Sequence, residues 1–295
     1  MTEYEKILES RIQRDDRLMI LTPENRAMLR NISSKVGDRF IDTGITEQAM
    51  IGIASGLALR GRKPVVHALA AFLTMRAFEF IRTDVGIANL PVKLMGFIPG
   101  FLSDGNGPTH QAIEDISILR GIPGMQVACP ANENDLLIML PEILDSEHPC
   151  YVRLNPRKSE IQHSPNSQMG KGEWLAEGRE ICILTYGLML EEAMLAKNLL
   201  VERGFSVSLA NMRSLKPIDT EILEQAVKNH KLIVTIEDHF LVGGLRSILA
   251  EFLLEARLIA HVLSIGFAEK WFKPGRLSEV LEFEQMDGKN LARRI

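Results

Sequence analysis

A chain of 295 residues with 46% hydrophobic and 24% charged residues holds enough apolar material for about two packed domains. Its formal net charge of −4 comes without any long run of one sign, which excludes the electrostatic footprint of a nucleic-acid or anionic-membrane binder. No apolar run approaches the ~18 residues of a membrane span, and Met1-Thr2-Glu3-Tyr4-Glu5-Lys6 is polar where a signal peptide would be basic and then apolar, so a cytoplasmic chain is expected.

Tyr4, Ile7, Leu8 and Ile12 recur at helical spacing, and the apolar strand Leu18-Met19-Ile20-Leu21 follows, with Thr22-Pro23 opening another helix. Arg39 to Asp42 reads as a short strand. Gly44 permits a sharp turn into a helix running to Gly61, with Thr46 or Asp42 available as its cap. This helix is small and apolar nearly all round, which predicts burial. The alternation continues with strands at 64–67, 92–95, 126–129 and 151–154 and helices at 72–85, 113–120 and 133–145. Residues 155–170 are rich in Pro, Ser and Asn and read as a linker, after which the alternation resumes with strands at 181–184, 206–210, 232–236 and 261–265. The fold class is therefore α/β: two doubly wound domains, a mostly parallel-sheet domain over 1–158, a linker over 159–170 and a smaller α/β domain over 171–295. Cys129, Cys150 and Cys182 sit in apolar strand-like contexts at wide spacing and read as buried thiols rather than a disulfide framework or metal site.

Three stretches carry possible chemistry. Glu47 lies in the first turn of the apolar helix, where an apolar interior and the positive helix end pull its proton in opposite directions. That makes it a candidate for proton chemistry; a first-turn Glu serving only the helix dipole is the alternative. Phe72, Met75 and Phe78 recur at about one helical turn and read as core or as the wall of a ring-binding site. Asp104-Gly105-Asn106-Gly107-Pro108-Thr109-His110-Gln111 follows a strand at the end where open α/β sheets place ligands, and His110 can donate, accept or carry charge there. No phosphate-cradling glycine motif occurs.

In combination, Gly44-Ile45-Thr46-Glu47-Gln48-Ala49-Met50, Ala71-Phe72-Leu73 to Phe78, and Gly107-Pro108-Thr109-His110-Gln111-Ala112-Ile113-Glu114-Asp115 resemble the pyrimidine-binding domain of transketolases and of deoxyxylulose-phosphate synthase. Thr185-Tyr186-Gly187, Met212-Arg213-Ser214-Leu215-Lys216-Pro217-Ile218-Asp219 and Ile236-Glu237-Asp238-His239 with Gly243-Gly244 resemble the transketolase C-terminal domain. The resemblance implies that Glu47 hydrogen-bonds the aminopyrimidine of thiamine diphosphate and promotes the tautomer that deprotonates the thiazolium carbon. It implies that Phe72, Met75 and Phe78 pack on that ring and that His110 faces the substrate near the reacting carbon.

Two departures bear on function. The family's full-length enzymes carry a preceding diphosphate-binding domain with a Gly-Asp-Gly motif and a metal-binding tail, whereas Gly37-Asp38-Arg39 has neither. The chain accordingly resembles the C-terminal, β-like subunit of a split transketolase. The implied partner is an N-terminal subunit that supplies the diphosphate-binding domain and the Mg²⁺ ligands, within an α2β2 assembly. Secondly, Asn106 stands where the family often has an acidic residue reading a donor hydroxyl. Gly96 to Phe101 replaces a more polar segment, so that Phe97, Ile98 and Phe101 are expected to make that side of the pocket greasier. Arg153 and Arg157 are candidate anion contacts, Arg157 as part of the substrate site. The expected activity is transfer of a two-carbon ketol unit between sugar-like substrates. A 2-oxo acid dehydrogenase or decarboxylase β subunit, a deoxyxylulose-phosphate-synthase-like enzyme and a catalytically silent regulatory paralogue are the alternatives. The Glu237-Asp238-His239 cluster is expected to satisfy backbone groups at a sheet edge.

Overall fold

In the computed structural model, which describes residues 1–24 and 28–295, strands and helices alternate almost throughout. The first part runs α1 (Glu3–Arg14), β1 (Leu18–Thr22), α2 (Ser33–Val36), β2 (Phe40–Asp42), α3 (Glu47–Leu59) and β3 (Lys63–Leu69). A broken helical stretch follows, in which α4 (Phe78–Phe80) lies between π-helical segments Phe72–Arg76 and Ile81–Gly86. Then come β4 (Lys93–Phe97), 3-10 turns at Gly100–Asn106 and Pro108–His110, α5 (Asp115–Arg120), β5 (Gln126–Ala128), α6 (Glu133–Asp145) and β6 (Cys150–Leu154). The remainder contains β7 (Glu173–Ala176), β8 (Ile181–Thr185), α7 (Met189–Glu202), β9 (Val207–Asn211), β10 (Ser214–Lys216), α8 (Thr220–Asn229), β11 (Leu232–Phe240), α9 (Leu245–Ala256), β12 (Val262–Phe267), α10 (Leu277–Phe283) and α11 (Gly288–Arg294). The helix expected from Pro23 falls partly on residues outside those described.

One sheet has the order β10-β5-β6-β4-β3-β1-β2 and the other β12-β11-β8-β9-β7. Pairing is parallel except where β10 meets β5 and β7 meets β9, so only one strand of each sheet runs against its neighbour. The fully buried runs Leu18–Thr22 and Cys150–Leu154 explain this architecture, since strands apolar on both sides need helices on both faces. Strand β10 departs from the expected division: it lies beyond the linker yet pairs antiparallel with β5 of the first sheet. One apolar cluster runs continuously from Leu21, Ile51 and Leu94 to Tyr186, Met212 and Leu245, so the two sheets share a core.

The interface also holds a buried polar network. Arg153 in β6 pairs through Nε with Asp115 at 2.9 Å and through Nη1 with Asp238 of β11 at 2.7 Å. The Tyr151 hydroxyl donates to Asp115 at 2.6 Å. Glu237 accepts the first backbone N–H groups of α9, from Leu245 at 2.7 Å and Arg246 at 3.1 Å; burial nonetheless raises its pKa to about 8. His239 Nε2 accepts the Ser117 backbone N–H at 3.3 Å, and burial lowers its pKa to about 4. These groups lie within an interior strand, β11, between β12 and β8, which corrects the sheet-edge expectation.

The linker is docked as well. His163 has no exposed side-chain surface and reaches Glu173 at 2.5 Å, while the Ser164 N–H donates to Glu173 at 3.0 Å. Asp135, His163 and Glu173 form a cluster of possible metal ligands, but Arg213 already pairs with Asp135 at 2.7 Å and Glu173 at 2.8 Å. A guanidinium thus supplies the positive charge. Among the described residues, no helix is long and apolar enough to cross a membrane.

Candidate active site

The site begins at the turn between β2 and α3. Gly44 has φ +68°, in the left-handed region that a side chain disfavours, and this allows the chain to reverse into the helix within a few residues. Thr46 occupies the N-cap position, but its hydroxyl donates to Thr43 O at 2.8 Å, and Asp42 Oδ1 accepts the Gly44 N–H at 3.1 Å. The Thr46 side chain therefore makes no capping bond to the first turn of α3, which carries Glu47. The expectation of a helix buried all round is also corrected. Met50, Ile51, Ala54 and Ala58 face the core, whereas Ile45 and Leu59 are each 70% exposed and Ile53 is 42% exposed. One apolar side of α3 lies uncovered in this chain.

Glu47 itself is only 3% exposed. Its carboxylate accepts a hydrogen bond from Arg76 Nη1 at 3.1 Å and faces a cavity of about 260 Å³ bounded by Ile45, Leu69 and Phe72. Arg76, whose side chain is 42% exposed, lies over the Phe72 ring at 4.1 Å from its centroid. Phe72 also meets His110, with ring centroids 4.9 Å apart at 61°. His110 Nδ1 hydrogen-bonds the Thr109 hydroxyl at 2.9 Å. Gly107, with φ +81°, sets up the 3-10 turn that carries this histidine. A carboxylate, an aromatic face and an imidazole thus come from three segments of the sequence to the C-terminal side of one sheet.

The other expected site residues are placed differently. Met75 borders, with Phe72, a second cavity of about 430 Å³ whose lining does not include Glu47. Phe78 lines a separate cavity with Ile87, Ile118 and Ile122 and packs on the main core. Asn106 is exposed at the end of its 3-10 turn. Arg157 stands 4.0 Å from Glu191, with nearly half of its side chain exposed. Arg153 is only 2% exposed and held in the interdomain network, so it contacts no anionic ligand. Phe97 and Phe101 are core residues rather than pocket walls: Phe97 stacks near His67, and Phe101 packs on Phe267 and Phe272 at 5.1 Å. Burying such rings recovers more than exposing them in a cleft.

Sequence reasoning missed Arg76, although it follows Phe72 by one helical turn and a cation there was a visible interruption of the Phe/Met stripe. It also missed Trp271, which borders the cavity beside Met75 and comes from the second part of the chain. No local signal joins Trp271 to residues so distant in sequence.

The arrangement suits the aminopyrimidine half of a heterocyclic cofactor. A nearly buried carboxylate opens on an apolar cavity with an aromatic wall, and its Arg76 partner is a half-exposed side chain that a ring nitrogen could replace.

Comparison with known proteins agrees with this geometry. The model of the transketolase pyrimidine-binding domain matches residues 2–160, and that of the transketolase C-terminal domain matches residues 170–291. A putative transketolase C-terminal section from Methanocaldococcus jannaschii is 34% identical over 262 residues, covering 88% of this chain and 82% of that one. A 6-deoxy-6-sulfo-D-fructose transketolase subunit, SqwH, from a Clostridium species is 36% identical over 256 residues, covering 85% and 80%. Among solved structures, a split-gene transketolase described as an inactive β4 tetramer superposes with a TM-score of 0.88 at 29% identity, covering 99% of this chain and 94% of that one.

Proposed function

The chain belongs to the transketolase family, as a C-terminal-section subunit of the split type, and from that premise we propose that it supplies the pyrimidine half of a thiamine-diphosphate site completed by a partner chain. The reaction is transfer of a two-carbon ketol unit between sugar or sugar-phosphate substrates. The observation that carries this reading is Glu47: a nearly buried carboxylate that opens on a cavity next to an uncovered apolar helix face, which is half of a site.

Residues 1–158 form the pyrimidine-binding unit in this proposal, residues 159–170 the linker and residues 171–295 the supporting C-terminal unit. Bound thiamine diphosphate supplies an electron sink for carbon–carbon cleavage. With the cofactor bound, Glu47 would hold or exchange a proton at a pyrimidine nitrogen in place of its bond from Arg76. Phe72 would pack on the ring and Met75 beside it, with Phe78 supporting them from the core. His110, held by Thr109, orients and exchanges a proton with substrate oxygens near the reacting carbon. Asn106, exposed at the end of its 3-10 turn, and the half-exposed Arg157 would contact the rest of the substrate only once the partner chain completes the site.

The diphosphate and Mg²⁺ ligands belong to the N-terminal partner in this scheme. The one described cluster of possible metal ligands is occupied by Arg213, which supports placing the metal elsewhere. The uncovered side of α3, with Ile45 and Ile53, is the surface the partner covers. Two copies of each chain form an α2β2 complex, and the solved neighbour's description as an inactive β4 tetramer supports a chain that self-assembles without being active by itself.

The test is calorimetric titration of thiamine diphosphate with Mg²⁺ into this chain alone and into its mixture with the chain encoded beside it. Tight binding is expected only in the mixture. Tight binding by the single chain would sink the shared-site reading, and the same titration with Glu47→Ala should weaken binding.

A further inference from the structure

The cavity beyond Phe72 is built by both halves of the chain. It has a volume of about 430 Å³, and its walls include Met75 and Arg76 from the broken helix, Thr109 and Gln111 from the histidine loop, and Trp271 from the loop after β12. Trp271 is 57% exposed, unusual for so large an apolar ring. It is nevertheless held in place. Its neighbour Phe272 is 1% exposed and stacks on Phe101 and Phe267, and the Phe240 ring meets the indole edge-on at 6.3 Å.

The loop carrying the indole is bonded to the loop carrying His110. Gln111 Nε2 donates to Phe272 O at 2.7 Å, the Gly275 N–H donates to Asp104 O at 3.1 Å, and the Leu277 N–H donates to Asp104 Oδ2 at 3.1 Å. These bonds fix Trp271 relative to His110 as firmly as a single element would. Gln111 is 1% exposed, and among the described residues its buried Oε1 has no hydrogen-bond partner. A buried acceptor left unpaired costs about 1–3 kcal/mol, and because Gln111 lies on the cavity wall a small shift of its amide toward an entering donor would remove that cost.

We infer that Trp271, together with Gln111, forms a specificity subsite for the polyol chain of the sugar, in this second cavity bordered by Phe72. This rests on the transketolase reading and names what the second domain adds to it. A polyol has a C–H side that packs on an aromatic face and hydroxyls that donate to an amide oxygen; the cavity offers the indole for the first and Gln111 Oε1 for the second. Arg76, once displaced from Glu47, stands at the same cavity and matches a hydroxyl or an anionic chain end. The subsite therefore selects substrates by the carbons beyond the two that are transferred.

The experiment uses the full chain assembled with its partner chain, thiamine diphosphate and Mg²⁺. Turnover is measured for hydroxypyruvate, too short to reach the indole, and for D-xylulose 5-phosphate, D-fructose 6-phosphate and 6-deoxy-6-sulfo-D-fructose, which extend further. Trp271→Ala should raise KM about tenfold or more for whichever long ketose the wild type prefers, with kcat nearly unchanged, while hydroxypyruvate kinetics stay within about twofold. Trp271→Phe should restore most of the loss. Trp174→Phe leaves Trp271 as the sole indole of this chain, and the fluorescence difference between this variant and Trp174→Phe/Trp271→Phe in the assembled complex should change saturably with the long ketose and not with hydroxypyruvate. Equal damage to both substrate classes, no damage to either, or an indole signal that responds only to the partner chain would overturn the subsite. A wild-type complex that turns over no donor at all would instead refute the transketolase reading beneath it.

Discussion

Two polar clusters in this molecule contain the same kinds of groups and are built in opposite ways. At the Glu47 site one nearly buried carboxylate has, among the described residues, the half-exposed Arg76 for a partner and a cavity in front of it. In the interdomain network Arg153 lies between Asp115 and Asp238, all three buried, with Tyr151 and the adjacent Glu237 and His239 satisfied by hydroxyl or backbone groups. The first arrangement leaves a carboxylate facing open space, whereas in the second the charges are paired with one another inside the core and, among the described residues, Asp115 Oδ1 is the network atom left without a hydrogen-bond partner. Burial of a charge is thus a poor guide to chemistry; what separates the two is whether the partners are permanent.

The comparison breaks or holds on three measurements. Glu47→Ala should lower kcat/KM of the assembled complex by about 10²–10⁴-fold, the range expected for a lost acid–base group, without lowering the melting temperature of the free chain. Turnover within a few-fold of wild type would place Glu47 among the structural carboxylates. Arg153→Met should do the reverse. Removing one member of a buried ion pair costs about 3–5 kcal/mol, so urea unfolding of the free chain should shift strongly while any complex that still assembles retains near-normal KM. An unchanged unfolding midpoint would show that the network is decorative.

The smallest effect is a pH dependence. Folded His239 has its pKa lowered from 6.5 to about 4 by burial, so between those values the unfolded chain binds more protons. Its contribution to stability is fully present above about 6.5 and is lost as the pH falls toward 4. Glu237, raised from 4.5 to about 8 by burial, acts in the other direction, since the folded carboxyl keeps a proton the unfolded one has released. Its contribution is lost as the pH rises through that window. Melting curves of wild type and His239→Gln between pH 7 and 5 should converge toward the acid end; parallel curves would remove His239 from the network.

Much of the architecture was legible because apolar runs such as Leu18–Leu21 and Leu232–Ile236 admit only buried strands between helices. The candidate site residues Glu47, Phe72 and His110 were singled out through motif resemblance, and the structure joins them by way of Arg76 and the Phe72 ring. What stayed hidden depends on tertiary partners. Ser214–Lys216 has two polar residues in three and becomes a strand only because β5 offers an open edge. The π-helical turns at Phe72–Arg76 and Ile81–Gly86 carry no sequence mark, though they set which way Arg76 and Phe78 point. Phe97 and Phe101 read as pocket walls from their loop, but rings of that size were drawn into the two cores instead.

Strand β10 has a consequence for synthesis. A nascent chain that emerges from the ribosome N-terminus first can assemble the strands up to β6 long before residue 214 exists, leaving β5 as a bare, parallel-sheet edge throughout that interval. Such an edge recruits any available strand, including β5 of a neighbouring copy on the same message. The antiparallel strap supplied late by Ser214–Lys216 therefore closes off co-translational aggregation as well as joining the two sheets, and a gene cut within the linker would leave that edge permanently open.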